Sequence, residues 1–102
     1  SCTFVGVYTN NRIVMEDYEL VQRKMDTYEE LYETHPTQAL ILMIDLFPLA
    51  SKSFNHEVFD AIDIWVQSHI NKELVDYLQT KILLEDEYKK YYSVWIHSYI
   101  DQ

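Results

Sequence analysis

The sequence predicts an all-α fold, a compact bundle of four to five short helices with an N-terminal β-hairpin or extended arm. Three observations predict it. The 102 residues include one glycine, Gly6, and two prolines, Pro36 and Pro48, whereas sheets and their turns draw heavily on glycine. Apolar residues recur at 3–4 residue spacing through most of the chain, the period of a helix with one buried face. The stretch between the two prolines is apolar nearly all round, as expected of a helix wrapped by others. Hydrophobic residues make up 48% and charged residues 25%, enough for one domain, residues 1–102, to bury a core without disulfides or metal.

Residues 1–15 read as the hairpin or arm and residues 16–102 as helices. In "FVGVYTNNRIVM", β-branched and aromatic residues flank Asn10-Asn11, and asparagine tolerates the positive φ of a tight turn. A lone hairpin is marginal in water and would have to pack on something; the competing reading is an extended arm that docks on the helices or on a partner. A first helix is expected over Glu16–Thr34, capped by Asp17, with Glu19 in its first turn to meet the positive helix end. Tyr18, Val21, Met25, Tyr28 and Tyr32 form its apolar stripe, widened by Leu20 and Leu31. Pro36 stops it, because the residue before a proline is pushed out of the helical region.

Thr37–Phe47, "TQALILMIDLF", is rich in Ala, Leu and Met and therefore reads as a central helix rather than a buried strand. Thr34 or His35 would cap it, with Pro36 in its first turn, and Pro48 would end it. Asn55 caps a third helix, with Phe54 and Phe59 at the positions of a hydrophobic staple. Val58, Ile62, Trp65 and Val66 make its inner face, with Phe59 and His69 beside it. Asn71 caps a fourth helix whose stripe is Leu74, Val75, Leu78 and Ile82. Glu85–Glu87 is either a short break or the first turn of a fifth helix, where acids suit the positive end, and one long helix from Lys72 to Ile100 is the other reading. In each case Tyr88, Tyr91/Tyr92, Trp95 and Tyr99 share a face.

Charge narrows the function classes. Seventeen Asp and Glu against eight Lys and Arg give a net charge of −9, which repels nucleic acid and anionic lipid. The basic doublets Arg23-Lys24 and Lys89-Lys90 are each flanked by acids, so no nucleic-acid partner is expected. Cys2 is the single cysteine and can form no internal disulfide, which fits a reducing, cytoplasmic setting. No apolar run approaches a membrane span, and the opening "SCTFVGVYTNN" lacks the basic and long apolar regions of a secretory leader.

Motifs for chemistry are scarce. One glycine cannot build a phosphate-cradling loop, and no G-x-S-x-G elbow is present. "HEVFD" begins like the zinc-protease H-E-x-x-H pattern, but Asp60 stands where the second histidine would be, so His56, Asp60 and Asp63 are not expected to hold a metal. Pairs such as Asp60/Asp63 and Glu29/Glu33 have the spacing of any solvated helix face. No catalytic residue, cofactor or metal is therefore assigned.

The expected function is a non-enzymatic protein–protein interaction module, an adaptor, scaffold or assembly domain. Tyrosine is enriched at such contacts, because its ring sits dry while its hydroxyl stays wet. The candidate partner-binding residues are Tyr28, Tyr32, Glu29, Glu30, Glu33, Tyr91 and Tyr92. The partner is a protein, basic or a second copy of the chain. The alternative is a small acidic inhibitor or immunity-type protein, with the acidic face of the first helix blocking a basic active site.

Overall fold

The computed structural model describes the backbone of residues 5–84 and 87–101, and the side chains of residues 17–84 and 87–101. Among the described residues the chain forms five helices and no strand: α1 (Val5–Tyr32), α2 (Pro36–Lys52), α3 (His56–His69), α4 (Lys72–Leu84) and α5 (Lys89–Ile100). Helix α2 packs against α1, α3 and α4; α4 and α5 pair; α5 also meets α3, and α1 touches α3. The fold is a helical bundle with α2 inside, as the apolar segment predicts. The hairpin or arm expected over residues 4–15 is not confirmed. The backbone from Val5 belongs to α1, and the side chains that would define a pairing lie outside the described residues. Asp17 consequently lies within α1 rather than capping it.

Helix α2 buries Ala39, Leu40, Met43, Ile44, Leu46, Phe47 and Ala50, with Val21 and Met25 of α1, Val58, Ile62 and Val66 of α3, and Leu74 and Leu78 of α4 around it. Each of the larger of these side chains, the Val, Leu, Ile, Met and Phe, contributes about 1.5–3 kcal/mol on leaving water. That burial corrects one expectation. Pro48 does not end α2, which continues to Lys52. A proline removes the amide that would bond the Ile44 carbonyl and crowds that turn. Ala50 beyond it is fully buried, so packing on the far side of Pro48 keeps the last turn helical.

The start of α2 falls where it was expected, and its end does not. At the start, His35 is the N-cap residue without a side-chain cap bond, and Pro36 begins the helix. Thr34 instead turns its hydroxyl back to the Leu31 carbonyl at 3.3 Å. At the end, the Phe54 amide donates to the Ser51 carbonyl at 3.2 Å and the Asn55 amide to the Ala50 carbonyl at 3.0 Å. This is the Schellman arrangement, in which the residue just past the C-cap takes a left-handed conformation and is usually glycine. Here it is Phe54, with φ of 60°. The left-handed turn carries the Phe54 ring outward, 69% exposed, so the expected staple with Phe59 does not form. Phe59 stacks on Phe47 instead, with ring centroids 4.1 Å apart.

The caps of α3 and α4 are as expected and also tie helices together. The Asn55 side-chain oxygen accepts from the Val58 amide at 3.1 Å, while its amide nitrogen donates to the Tyr18 carbonyl of α1 at 3.1 Å. Asn71 accepts from the Leu74 amide at 3.0 Å and donates to the Thr37 hydroxyl at 3.2 Å, joining the start of α4 to the start of α2. Ile70 between them is extended, with φ −64° and ψ 142°. Of the readings for the C-terminal region, separate helices are found, and Glu87 lies ahead of α5 rather than in its first turn. Helix α4 closes at Leu84 and α5 opens at Lys89.

Candidate functional site

The tyrosine-rich tail resolves into core and surface. Tyr92 and Trp95 are completely buried and Tyr88 nearly so. Tyr92 packs on Trp95, and Phe47 of α2 is the common partner of Tyr88, Tyr91 and Trp95. The Trp95 ring meets it edge-on at 4.9 Å, as do Tyr88 at 5.8 Å and Tyr91 at 5.0 Å. Such edge-to-face pairs are the favoured geometry for aromatic quadrupoles. The Trp95 indole N–H donates to an Asp63 carboxylate oxygen of α3 at 2.6 Å, and the same oxygen accepts from Gln67 at 2.8 Å. Asp63 is therefore a structural acceptor between α3 and α5. Tyr92, expected among the partner-binding residues, is corrected to a core residue: one residue along a helix turns the side chain by about 100°, and that turn puts Tyr92 inside while Tyr91 stays 40% exposed.

Asp45, the acid of the central helix, looks out between α1 and α4. It accepts the Tyr77 hydroxyl and forms an ion pair with Lys81 at 3.1 Å. The Lys81 ammonium also lies over the Tyr77 ring, 5.6 Å from its centroid, and 6.0 Å from that of Tyr92. Tyr28 of α1 faces the same region. Burial, and then the negative charge of Asp45, hold its hydroxyl above the ordinary tyrosine value, because both disfavour the phenolate. Tyr28 is thus half-buried, one side of its ring packed on the core.

The remaining expected residues gather where α1 and α3 end. The Tyr32 ring meets Trp65 edge-on at 5.0 Å and His69 at 4.9 Å. Trp65 and His69 are 5.2 Å apart, so the three rings are in mutual contact. Tyr32 and Trp65 are half-buried and His69 is exposed, leaving an aromatic surface whose inner edge rests on the core. Glu29, half-buried, stands one turn before Tyr32, with Glu30 exposed beside it and Glu33, exposed, just beyond. The sequence placed Tyr32 and these acids in a partner-binding set but put Trp65 in the core face and His69 at its side. The i, i+4 spacing of Trp65 and His69 was the signal that both lie on one edge of α3.

Among the described residues no group of three or more His, Cys, Asp or Glu is placed to hold a metal ion, and none of their buried side-chain polar atoms lacks a hydrogen-bond partner. None of their helices is long and apolar enough to cross a membrane. No protein-family model, curated protein or solved structure matches the chain.

Proposed function

We propose that this chain is a non-enzymatic protein-interaction module that binds through the exposed ends of α1 and α3. The observation that supports this is the surface triangle of Tyr32, Trp65 and His69, three rings within about 5 Å of one another. Aromatic rings fixed by their own packing offer a large contact area at little entropic cost, and such residues dominate the binding energy of protein interfaces. The polar networks in the described residues serve the fold. Asp63 holds Trp95, Asp45 holds Tyr77 and Lys81, and Asn55 and Asn71 cap helices.

A photo-reactive amino acid in place of His69 tests the proposal in cells that make this protein. The expected result is one discrete covalent adduct, identified by mass spectrometry and absent when the same group replaces Asp76, an exposed residue of α4. Equal labelling from both positions, or none from position 69, would count against a binding surface there.

A further inference from the structure

The C-terminal turn of α1 breaks an electrostatic rule. The backbone carbonyls at a helix C-terminus carry partial negative charge, so Lys, Arg or His normally occupies the last turn. Helix α1 has no basic residue in its last turn and places Glu29 and Glu30 there instead. Glu33 follows, its amide bonded to the Glu30 carbonyl at 3.2 Å. Helix α2 begins only at Pro36, while Glu29 and Glu30 lie in the last turn of α1 and face the negative end of their own helix. Among the described residues no ion pair engages any of the three acids. The aromatic triangle sits at this place, since Tyr32 is the last residue of α1 and His69 the last of α3.

We infer that the Tyr32–Trp65–His69 triangle, edged by Glu29 and Glu33, seats an arginine side chain of a basic protein partner. The inference rests on the interaction-module reading and names the chemistry of its partner. Aromatic faces attract a cation through their quadrupole. The planar, weakly hydrated guanidinium stacks on such faces while offering its N–H groups in a fork to carboxylates beside them. A lysine ammonium, compact and strongly hydrated, matches the acids but not the ring faces. The site therefore prefers arginine to lysine, and an acidic partner is disfavoured by the like charges of Glu29, Glu30 and Glu33.

Titration of the whole chain with tetra-arginine and with tetra-lysine peptides, followed by two-dimensional NMR, tests this directly. The chain has two tryptophans. Trp95 is fully buried and serves as an internal control, while Trp65 is half-exposed. The expected result is a saturable shift of the Trp65 indole N–H with tetra-arginine, little movement of Trp95, and several-fold weaker binding of tetra-lysine. Glu29→Gln combined with Glu33→Gln should weaken binding about ten-fold, as should His69→Ala, with unfolding midpoints recorded to show that the variants remain folded. Glu73→Gln combined with Asp76→Asn removes the same charge from α4 and should leave binding within two-fold. Equal affinity for both peptides, equal loss in the α4 control, or a Trp65 signal that does not move would each overturn the inference. A saturable site elsewhere on the surface would overturn it too, while leaving the interaction-module reading in place.

Discussion

Phe54 occupies the position where helix α2 turns left-handed, and a residue with a Cβ is held there at a cost of about 1–2 kcal/mol. Its ring, 69% exposed, recovers little of that by burial. Phe54→Gly should therefore raise stability by about 0.5–1 kcal/mol, the relief of strain being partly offset by the larger entropy of glycine in the unfolded chain. Urea unfolding measures it, and a loss of stability would mean that the ring packs on its surroundings. The adjacent tyrosines of α5 make the complementary comparison. Tyr92→Ala opens a cavity beside Trp95 and should cost about 3–5 kcal/mol by analogy with other large aromatic truncations. Tyr91→Ala removes a ring that already faces water on one side and should cost clearly less. Tyr28 adds a pH dependence. Its hydroxyl titrates above the ordinary value in the folded chain, so once pH passes about 10 the unfolded chain releases that proton first. The unfolded state then binds fewer protons, and stability falls as pH rises. The contribution is intact below pH ~10 and is lost towards the raised folded value. Tyr28→Phe should flatten that part of the stability–pH curve relative to the parent chain, and identical curves would show that the environment of Tyr28 does not perturb it.

At the scale of elements, the helices were readable where local chemistry and tertiary packing agree. Asn55 and Asn71 were identifiable as caps because a short amide side chain ahead of an apolar stripe has few other uses, and both bonds are present. The central position of α2 followed from its lack of a polar face. The misreadings share one cause, which is that distant contacts outweighed a local rule. Pro48 stops an isolated helix, but Ala50 beyond it is buried and the turn holds. Phe54 and Phe59 had the spacing of a staple, but Phe59 finds Phe47 of α2 at 4.1 Å, a contact no local pattern announces. Asp45 shows the same principle on the polar side. One charge on a greasy helix gave no hint of its partners, Tyr77 and Lys81, which lie more than thirty positions away. Asp45→Ala should loosen α4 from α2 and cost about 1–2 kcal/mol, since Tyr77 and Lys81 both lose an acceptor. In a double-mutant cycle, Asp45→Ala with Lys81→Ala should give a coupling of about 0.2–1 kcal/mol, because Asp45 is 46% exposed and water screens the pair. A coupling of several kcal/mol would mean that the pair is effectively shielded from solvent.

Across the whole molecule, composition was the most legible property and three-dimensional neighbourhood the least. The acidic end of α1 was evident from sequence, and Tyr32 with it. That Trp65 and His69 close a triangle with Tyr32 could not be read, because it depends on α1 and α3 ending at the same height. The bonds from Asn55 to the Tyr18 carbonyl and from Asn71 to Thr37 join neighbouring helices, and sequence shows the caps but not those long-range partners. The net charge of −9 leads to a prediction for the bundle as a unit. Folding brings acids on several helices closer together than they stand in an open chain, and this self-repulsion opposes the compact state. Among the described residues one ion pair, Lys81–Asp45, offsets it. Raising sodium chloride from ~0.01 M to ~0.15 M at pH 7 shortens the screening length from about 30 Å to about 8 Å. Repulsion spread over the surface is then damped more than a pair in contact at 3.1 Å. The thermal midpoint should therefore rise by a few degrees over that range and level off beyond it. The Glu29→Gln/Glu33→Gln chain, with two fewer negative charges crowding one helix end, should start from a higher midpoint and respond less to salt. A midpoint that falls as salt is added would mean that attraction outweighs repulsion on this surface, and the acidic end of α1 would then no longer count as a strained site awaiting a cation.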